Sequence, residues 1–316
     1  MKKNRISGLL FLLVILAVIG YSAYGMLNQG KDEDYISVSV IVNDSSNIRW
    51  DAFRSGLEQG AEDNHVHLNL VSTGTFQNAQ EEHTIVKREL DGEADGVIVE
   101  PYSSEADMVL PTESVKPVIL VGTGIETDKL FTSVMTDHGK LGKSLADAVI
   151  QDKAVKVGIF SGNQSQLGMR QRLKSVKDNL AEAGIEISWI LSEKELDKKM
   201  GNVDYFTENP VDTVISLEND DTEKAVDLIL NHDSISWKLY GEGRSEKLIY
   251  YLDKGTIQEL AVPNEYYMGY QSIFLAAQNI RYYTDKTEQA EVEYYMVSRD
   301  DLYAEETSRI LFPTVR

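Results

Sequence analysis

The chain of 316 residues contains no cysteine. That absence excludes disulfide bonds, thiolate nucleophiles, cysteine-ligated zinc and iron–sulfur clusters. It also excludes the lipid anchor of a lipoprotein, because that lipid is attached to a cysteine. If the protein is held at a membrane, it therefore needs another means of attachment.

Basic residues are also scarce, since 31 lysines and arginines stand against 51 aspartates and glutamates and the formal net charge is −20. Nucleic acid is bound through a basic surface, so this charge argues against a DNA- or RNA-binding protein. With 42% hydrophobic and 26% charged residues, the composition is that of an ordinary globular protein. The length allows one large domain or two domains of about 150 residues.

Motifs for enzymatic chemistry are missing from the sequence. The five histidines form no HExxH pair, no GxSxG nucleophile motif occurs, and the stretch 162–168 is not followed by the GK[ST] of a phosphate-binding loop. Acidic residues are too numerous for any pair of them to indicate a glycosidase. We therefore expect a protein without catalytic activity, cofactor or metal. A surface hydrolase, or another enzyme on an α/β scaffold, remains the alternative.

The segment Ile6–Leu27 has no charged residue and is long enough for a membrane-spanning helix, which needs about 20 residues. The basic residues before it place the N-terminus in the cytoplasm and the rest of the protein outside. We predict a cytoplasmic tip at 1–5, an anchor at 6–27 and a linker at 28–35. The predicted location is the cell membrane, with a single span and an extracytoplasmic binding domain.

A cleaved secretory signal is the alternative for this segment, because its most apolar part is short and small residues occur at 22–25. We favour an uncleaved anchor, since Tyr21, Tyr24 and Leu27 extend the span. Both interpretations export residues 36–316. Residues 1–35 hold four basic and three acidic side chains, so the remaining 27 basic and 48 acidic side chains give the exported part a net charge of −21.

From residue 36 onward, β-branched apolar runs alternate with amphipathic helical patterns. Ile36–Val42 is the first run, and Asp51–Asp63 follows it with apolar residues four apart. Continuous apolar strands between amphipathic helices predict parallel sheets covered by helices on both faces. The pattern restarts near residues 138–155, which predicts two such units. Ligands of open α/β sheets bind beyond the carboxyl ends of the strands, so polar residues there are candidates for a site.

Short motifs stand at these strand ends in a fixed order. The stretches are VIVNDSSNIRW at 40–50, DGVIVEP at 95–101, KPVILV at 116–121, TDHGKLG at 136–142, ENDDTEKA at 218–225 and GEG at 241–243. In order and spacing, over about 250 residues, they resemble the type 1 periplasmic binding proteins, the ribose- and galactose-binding kind. That family shares its fold with the ligand domains of lac-repressor-type regulators. A regulator would need a helix-turn-helix where this chain has its apolar segment, so we reject that interpretation.

The resemblance implies two Rossmann-like lobes, each a parallel sheet flanked by helices, preceded here by one N-terminal transmembrane helix. Lobe 1 would comprise 36–137 and about 264–295, and lobe 2 would comprise 138–263 and about 296–316. Such a protein closes on a small polar ligand, here expected to be a sugar. The partner would be an ABC permease or a sensor histidine kinase.

The resemblance also implies where the ligand binds. Aromatic faces stack on sugars, amides both donate and accept hydrogen bonds, and carboxylates accept them from hydroxyls. The same residues also have structural interpretations, as helix caps, turn formers, core residues or exposed charges. The candidate ligand contacts are Asn43, Asn47, Trp50, Glu100, Thr123, Asp137, Arg172, Asn219 and Glu242.

Three positions depart from the family pattern. Gly122-Thr123 stands where the family has an aspartate–arginine pair, Arg49 replaces an aromatic residue, and Pro263 replaces a hinge glutamine. A site without those contacts is rearranged or weaker, so the ligand need not be ribose, glucose or any monosaccharide. The departures favour sensing slightly over uptake.

Overall fold

The computed structural model describes residues 35–105, 115–282 and 287–305, together with Thr307 and Leu311. The residues from Ser37 to the C-terminus form one compact unit. The predicted tip, the predicted anchor and all of the predicted linker except Tyr35 lie outside the described residues. Within the described part of the chain, no helix is long and apolar enough to cross a membrane.

Strands and helices alternate along the described chain. The strands are β1 (Ile36–Ile41), β2 (Val66–Leu70), β3 (Gly96–Val99), β4 (Val118–Val121), β5 (Ser133–Thr136), β6 (Lys156–Phe160), β7 (Glu186–Leu191), β8 (Thr213–Ser216), β9 (Lys238–Glu242), β10 (Ile257–Pro263), β11 (Gln289–Val292) and β12 (Tyr294–Ser298). The α-helices are α1 (Asp51–Asp63), α2 (Ala79–Asp91), α3 (His138–Gln151), α4 (Leu167–Glu182), α5 (Glu193–Met200), α6 (Asp204–Glu208), α7 (Asn219–Asn231), α8 (Glu246–Asp253) and α9 (Glu265–Tyr282). A short 3₁₀ helix at Ile48–Trp50 leads into α1.

The strands form two six-stranded sheets that repeat one strand order. The first sheet runs β11-β5-β4-β3-β1-β2 and the second runs β12-β10-β9-β8-β6-β7. We call the first sheet with α1, α2 and α9 the first lobe, and the second sheet with α3 to α8 the second lobe. The two-lobed α/β fold predicted from the sequence is confirmed.

One edge strand departs from the predicted parallel arrangement. β12 pairs antiparallel with β10, with Pro263 opposite Tyr294. The direction follows from the connections, since β10 ends and β12 begins at the junction of the lobes. The structure therefore places Tyr294–Ser298 in the second sheet.

Over the residues that the structure describes, the chain crosses between the lobes three times. The crossings lie between β5 and α3, between β10 and α9, and between β11 and β12. Asp137 occupies the first crossing, and its side chain accepts a hydrogen bond from the Lys140 backbone N–H at 2.9 Å, which caps α3. The second and third crossings are joined by a hydrogen bond from the Asn264 N–H to the Glu293 carbonyl at 2.9 Å.

In the first lobe, α1 packs closely against α9. A β-carbon on Gly56 would collide with the Tyr266 carbonyl oxygen, and one on Gly269 would collide with the Phe53 carbonyl oxygen. Glycine therefore allows the two helix backbones to approach closely. This packing places the N-terminus of α9 and the 3₁₀ turn before α1 beside each other at the junction of the lobes.

Candidate functional site

A small buried cavity lies between the lobes, where strands of both sheets end. Its free volume is about 60 Å³. The binding pockets of small-molecule ligands commonly measure about 300–1,000 Å³, so this space holds a few water molecules at most. The lobes are thus closed over a site that side chains of the protein fill.

The structure brings six of the nine candidate residues to this cavity. Each stands at or just beyond the end of a strand, at the start of a following helix or, for Arg172, on α4. They are Trp50, Glu100, Thr123, Arg172, Asn219 and Glu242. Whether these side chains contact a ligand stays a prediction, but the strand-end argument placed them together correctly.

The other three candidates do not line the cavity. The Asn43 side chain accepts a hydrogen bond from the Phe76 N–H at 2.7 Å and so fixes a turn. Asn47 accepts one from the Arg49 N–H and reaches Asp220 of the second lobe at 3.3 Å. Their short polar side chains satisfy nearby groups, which is the turn-forming role that asparagine commonly takes.

Asp137, the third of these residues, lies at the edge of a second, larger cavity of about 470 Å³. This cavity lies beside the first and third crossings, and its lining includes Lys129 and Glu291. Asp137 caps α3 there, and the Lys140 backbone N–H holds the pKa of its carboxyl below the usual value. The structure thus shows Asp137 as a helix cap, which is one of the structural interpretations given for the candidate residues.

Arg49 lines the smaller cavity and contacts carboxylates of both lobes. Its guanidinium lies 3.4 Å from the Glu100 carboxylate of the first lobe and 3.7 Å from the Glu218 carboxylate of the second. It also lies over the Trp50 ring, 4.1 Å from the ring centroid. Burial lowers the pKa of Arg49, but the surrounding carboxylates outweigh that effect and raise it, so the side chain stays charged.

Trp50 is consequently covered on the face that Arg49 contacts. The indole N–H donates to the Asn43 carbonyl at 3.1 Å, and the ring packs against Phe53 at a centroid distance of 5.5 Å. Only 7% of the residue is exposed. A ligand can stack on Trp50 at this face only after Arg49 has moved.

Arg172 is held firmly inside the second lobe. Its guanidinium donates to the Leu217 carbonyl at 2.6 Å and lies 3.5 Å from the Glu242 carboxylate. Its Nε donates to Nδ1 of His138 at 3.0 Å. Burial and the charge of Arg172 lower the pKa of His138 to about 3, so the ring is neutral and its Nε2–H donates to the Gly122 carbonyl at 2.7 Å.

Four glutamates surround the two arginines, and two of them come from each lobe. Burial raises the pKa of Glu100 to about 7 and that of Glu265 to about 8, and it also raises the pKa of Glu242. Glu265 lies 3.6 Å from Arg244 of the second lobe. The cavity therefore combines arginines with glutamates, and burial shifts three of these glutamates toward their neutral form.

Further hydrogen bonds join the lobes around the cavity. The Gly168 N–H donates to Oγ1 of Thr123 at 2.9 Å, and the Gln166 side chain donates to the Pro101 carbonyl at 3.0 Å. Arg170 forms a 2.7 Å ion pair with Glu126 at the rim. These contacts stabilise the closed arrangement.

Sequence reasoning did not select Arg49, His138, Glu218 or Glu265 as site residues. Glu218 and Glu265 each stand two residues after a strand, so the strand-end rule could have identified them. Arg49 was noted only as a departure from the family pattern. Nothing in the local sequence indicates that its side chain folds back over Trp50, because that geometry depends on the second lobe.

The comparisons with known proteins agree with this architecture. A family model described as a periplasmic binding protein domain matches residues 38–283. A glucose-galactose binding protein from Geobacillus stearothermophilus has a TM-score of 0.74 at 20% identity, over 86% of this chain and 100% of that one. A myo-inositol binding protein from Caulobacter has a TM-score of 0.75 at 21% identity, over 88% of this chain and 97% of that one. An ABC transporter solute binding protein from Agrobacterium vitis with bound D-fucose has a TM-score of 0.79 at 13% identity, over 87% of this chain and 100% of that one.

None of the curated proteins matches the chain in sequence. The three solved structures named above are between 13% and 21% identical to this chain, so they establish a likeness in fold alone. The family model, however, covers most of the chain and includes all nine candidate residues. The chain therefore belongs to the periplasmic binding protein family, as the strand-end motifs predicted.

Proposed function

We propose that the protein is an extracytoplasmic solute-binding protein, tethered to the membrane through Ile6–Leu27, that closes on a small carbohydrate and performs no chemistry on it. One observation carries the proposal: polar side chains at the strand ends of both lobes meet around a single buried cavity. A ligand that contacts both lobes binds the closed arrangement more tightly than an open one. Binding therefore shifts the population toward closure.

The carbohydrate part rests on the chemistry of the cavity and on the structural neighbours. Glu100 and Glu242 offer carboxylate oxygens to hydroxyl donors, and Asn219 offers both an amide donor and an acceptor. The neighbours compared above are named for binding glucose and galactose, myo-inositol, or D-fucose. Their common feature is a compact polyhydroxylated ligand, which supports the same class here.

A thermal-unfolding screen of the full chain in detergent tests the ligand class. A ligand present at a hundred times its Kd stabilises the folded state by about 2.7 kcal/mol, so a bound sugar or inositol should raise the Tm by several degrees. The Glu242→Gln variant should lose that shift, whereas Glu62→Gln, an exposed residue on α1, should keep it. A shift with peptides or nucleosides but with no sugar would overturn the carbohydrate part.

The partner is an ABC permease or a sensor histidine kinase, and the replacement of the family's polar pair by Gly122-Thr123 favours sensing. Cells that lack the protein distinguish the two. Loss of ligand accumulation indicates uptake, whereas loss of a ligand-induced transcriptional response with normal accumulation indicates sensing. Normal accumulation and a normal response would overturn both roles.

The tether is tested separately from the ligand. Alkaline extraction of membranes should leave the protein in the pellet, and mass spectrometry should find the N-terminal residues still attached. A soluble protein that begins after residues 22–25 would show instead that the segment is a cleaved signal.

A further inference from the structure

The guanidinium of Arg49 stands where a ligand of this cavity would bind. It contacts Glu100 of the first lobe at 3.4 Å and Glu218 of the second at 3.7 Å, and it covers the face of Trp50. A carboxylate from each lobe and an aromatic face are the contacts by which a two-lobed protein could clamp a cation. In the closed protein, Arg49 makes these contacts itself.

A ligand must displace Arg49, because the free volume of about 60 Å³ is too small for a sugar ring. The other arginine of the cavity, Arg172, is less able to move. It is fixed by a 2.6 Å hydrogen bond to the Leu217 carbonyl and a 3.0 Å hydrogen bond to His138. Arg49 has longer ion pairs and belongs to a short 3₁₀ turn, so it is the group that yields.

Displacement of Arg49 leaves negative charge without compensation. Glu242 keeps its contact with Arg172, and Glu265 keeps its contact with Arg244. Glu100 and Glu218 have only Arg49 as their ion-pair partner within the described residues. A partly buried carboxylate without a cation is unfavourable, and Glu100 would have to take up a proton, so a neutral ligand enters at a cost that a cationic ligand avoids.

We propose that the ligand carries a positive charge, and that its ammonium group replaces the Arg49 guanidinium between Glu100 and Glu218, over Trp50. The inference rests on the proposed function, since it assumes that a small polar ligand binds in this cavity. An amino sugar combines the ammonium with hydroxyl groups. One lining atom, Oγ1 of Thr136, is buried without a hydrogen-bond partner in the described part of the chain and is available to such a hydroxyl.

The pKa values of the lining carboxyls agree with this inference. Burial raises the pKa of Glu100 to about 7 even though Arg49 lies beside it and lowers it. The neighbouring carboxylates Glu218 and Glu242 add to the increase. Burial thus works against the ionised form of Glu100, whereas a cation beside the carboxyl, either Arg49 or a ligand ammonium, works in its favour.

Matched sugars test the proposal by calorimetry on the full chain at pH 7. Glucosamine should bind at least tenfold more tightly than glucose, and galactosamine at least tenfold more tightly than galactose. N-acetylglucosamine keeps the nitrogen but is neutral, so it should bind like glucose. Equal or tighter binding of the neutral sugars would overturn the cationic ligand while leaving the carbohydrate-binding function intact.

Variants of the cavity supply the second readout. Glu218→Gln should weaken the binding of the amino sugar at least tenfold and leave the neutral sugar nearly unchanged, whereas Glu62→Gln on the exposed face of α1 should affect neither. Arg49→Ala should tighten amino-sugar binding, because it removes the competing internal cation. Weaker amino-sugar binding by Arg49→Ala would overturn the replacement of Arg49 by the ligand.

A simple diamine separates this inference from the proposed function. Binding of 1,4-diaminobutane that depends on Glu218, with no binding of any sugar, would support a cationic ligand and overturn the carbohydrate class. Absence of binding by both the diamine and the amino sugars would overturn the cationic ligand.

Discussion

The two lobes have the same strand order but hold their charges differently. In the second lobe, Arg172 and Glu242 lie 3.5 Å apart and both belong to that lobe, so the pair exists whether or not the lobes meet. In the first lobe, Arg49 pairs with Glu100 of the same lobe but also reaches across to Glu218, and Glu265 lies beside Arg244 of the other lobe. One scaffold thus provides a preformed half-site and a half-site that is completed only by closure.

The lobes also differ in what their cores contain. The second lobe has an aromatic cluster in which Phe160, Trp189, Phe206 and Trp237 lie with ring centroids 5.2–6.3 Å apart. The first lobe depends on the close packing of α1 against α9. The second lobe is therefore stabilised by large buried rings and the first by a close approach of backbones, which gives each lobe its own sensitive positions.

The largest effect is expected from Arg172→Ala, which removes the central cation of the preformed half-site. Glu242 is left buried without its partner, and the Leu217 carbonyl and His138 lose their donor. Loss of one partner of a buried pair costs about 3–5 kcal/mol in the free energy of unfolding. Urea unfolding measures this, with Lys174→Ala on the exposed face of α4 as the control. A loss no larger than that of the control would contradict the distinction between the half-sites.

The next largest loss of stability is expected from Gly269→Ala, which acts on the first lobe. The added β-carbon collides with the Phe53 carbonyl oxygen and separates α1 from α9. Overpacking of this kind costs about 1–3 kcal/mol. Gly201→Ala is the control, because a β-carbon there meets no atom within 4 Å. An unchanged urea midpoint for Gly269→Ala would show that the close helix packing is not needed for the stability of the first lobe.

Glu82→Gln should change how stability depends on pH, again through the first lobe. Glu82 is fully buried and its carboxylate accepts from the Tyr102 N–H, yet burial raises its pKa from 4.5 to about 8. Between those values the folded chain keeps a proton that the unfolded chain releases. The free energy of unfolding therefore falls by about 1.4 kcal/mol per pH unit for this group, and the contribution is lost as pH rises through about 8.

Urea midpoints from pH 5 to 8 provide the measurement. In the variant, the free energy of unfolding should fall less steeply with pH, because the contribution of Glu82 is absent. Compared with the parent, the variant should therefore gain stability as the pH rises toward 8. Glu62→Gln, an exposed residue of the same lobe, should leave the slope unchanged. A variant with the parent's slope would show that Glu82 is ionised in the folded protein.

The smallest effect is expected from Arg170→Ala, which removes an ion pair between the lobes without touching either half-site. The pair with Glu126 lies at the rim, where 60% of the glutamate side chain is exposed. Pairs exposed to solvent contribute about 0.2–1 kcal/mol. Small-angle scattering of the variant should therefore show at most a modest shift toward open molecules. A fully open ensemble would mean that the rim, rather than the cavity, holds the lobes closed.

Much of the fold follows from the sequence because its signals are local. The runs Gly96–Val99 and Thr213–Ser216 are buried along their whole length, as continuous apolar strands between helices predict. The antiparallel β12 was not predicted. Its direction depends on where the chain crosses between the lobes. The hydrophobic pattern of a five-residue strand does not indicate the position of that crossing.

The site was predicted in part for the same reason. Glu100 and Glu242 stand at strand ends, where parallel sheets bring polar residues together, so position in the chain sufficed for them. Asn43 has a suitable residue type for a ligand contact and lies in the predicted loop, but its side chain accepts a hydrogen bond from the Phe76 N–H. A choice between a turn and a ligand contact depends on which groups lie nearby in three dimensions.

The sequence by itself determined the absence of thiol chemistry, the acidic character, the two αβ units and the strand ends that face the cavity. These are properties of composition and of short-range periodicity, which each segment carries alone. The tertiary structure alone decided that Arg49 fills the cavity and joins Glu100 to Glu218, because that contact depends on residues about 50 and 170 positions away on two different sheets. The pairing of Arg49 with Glu218 joins the two lobes, so it arises only when the lobes meet.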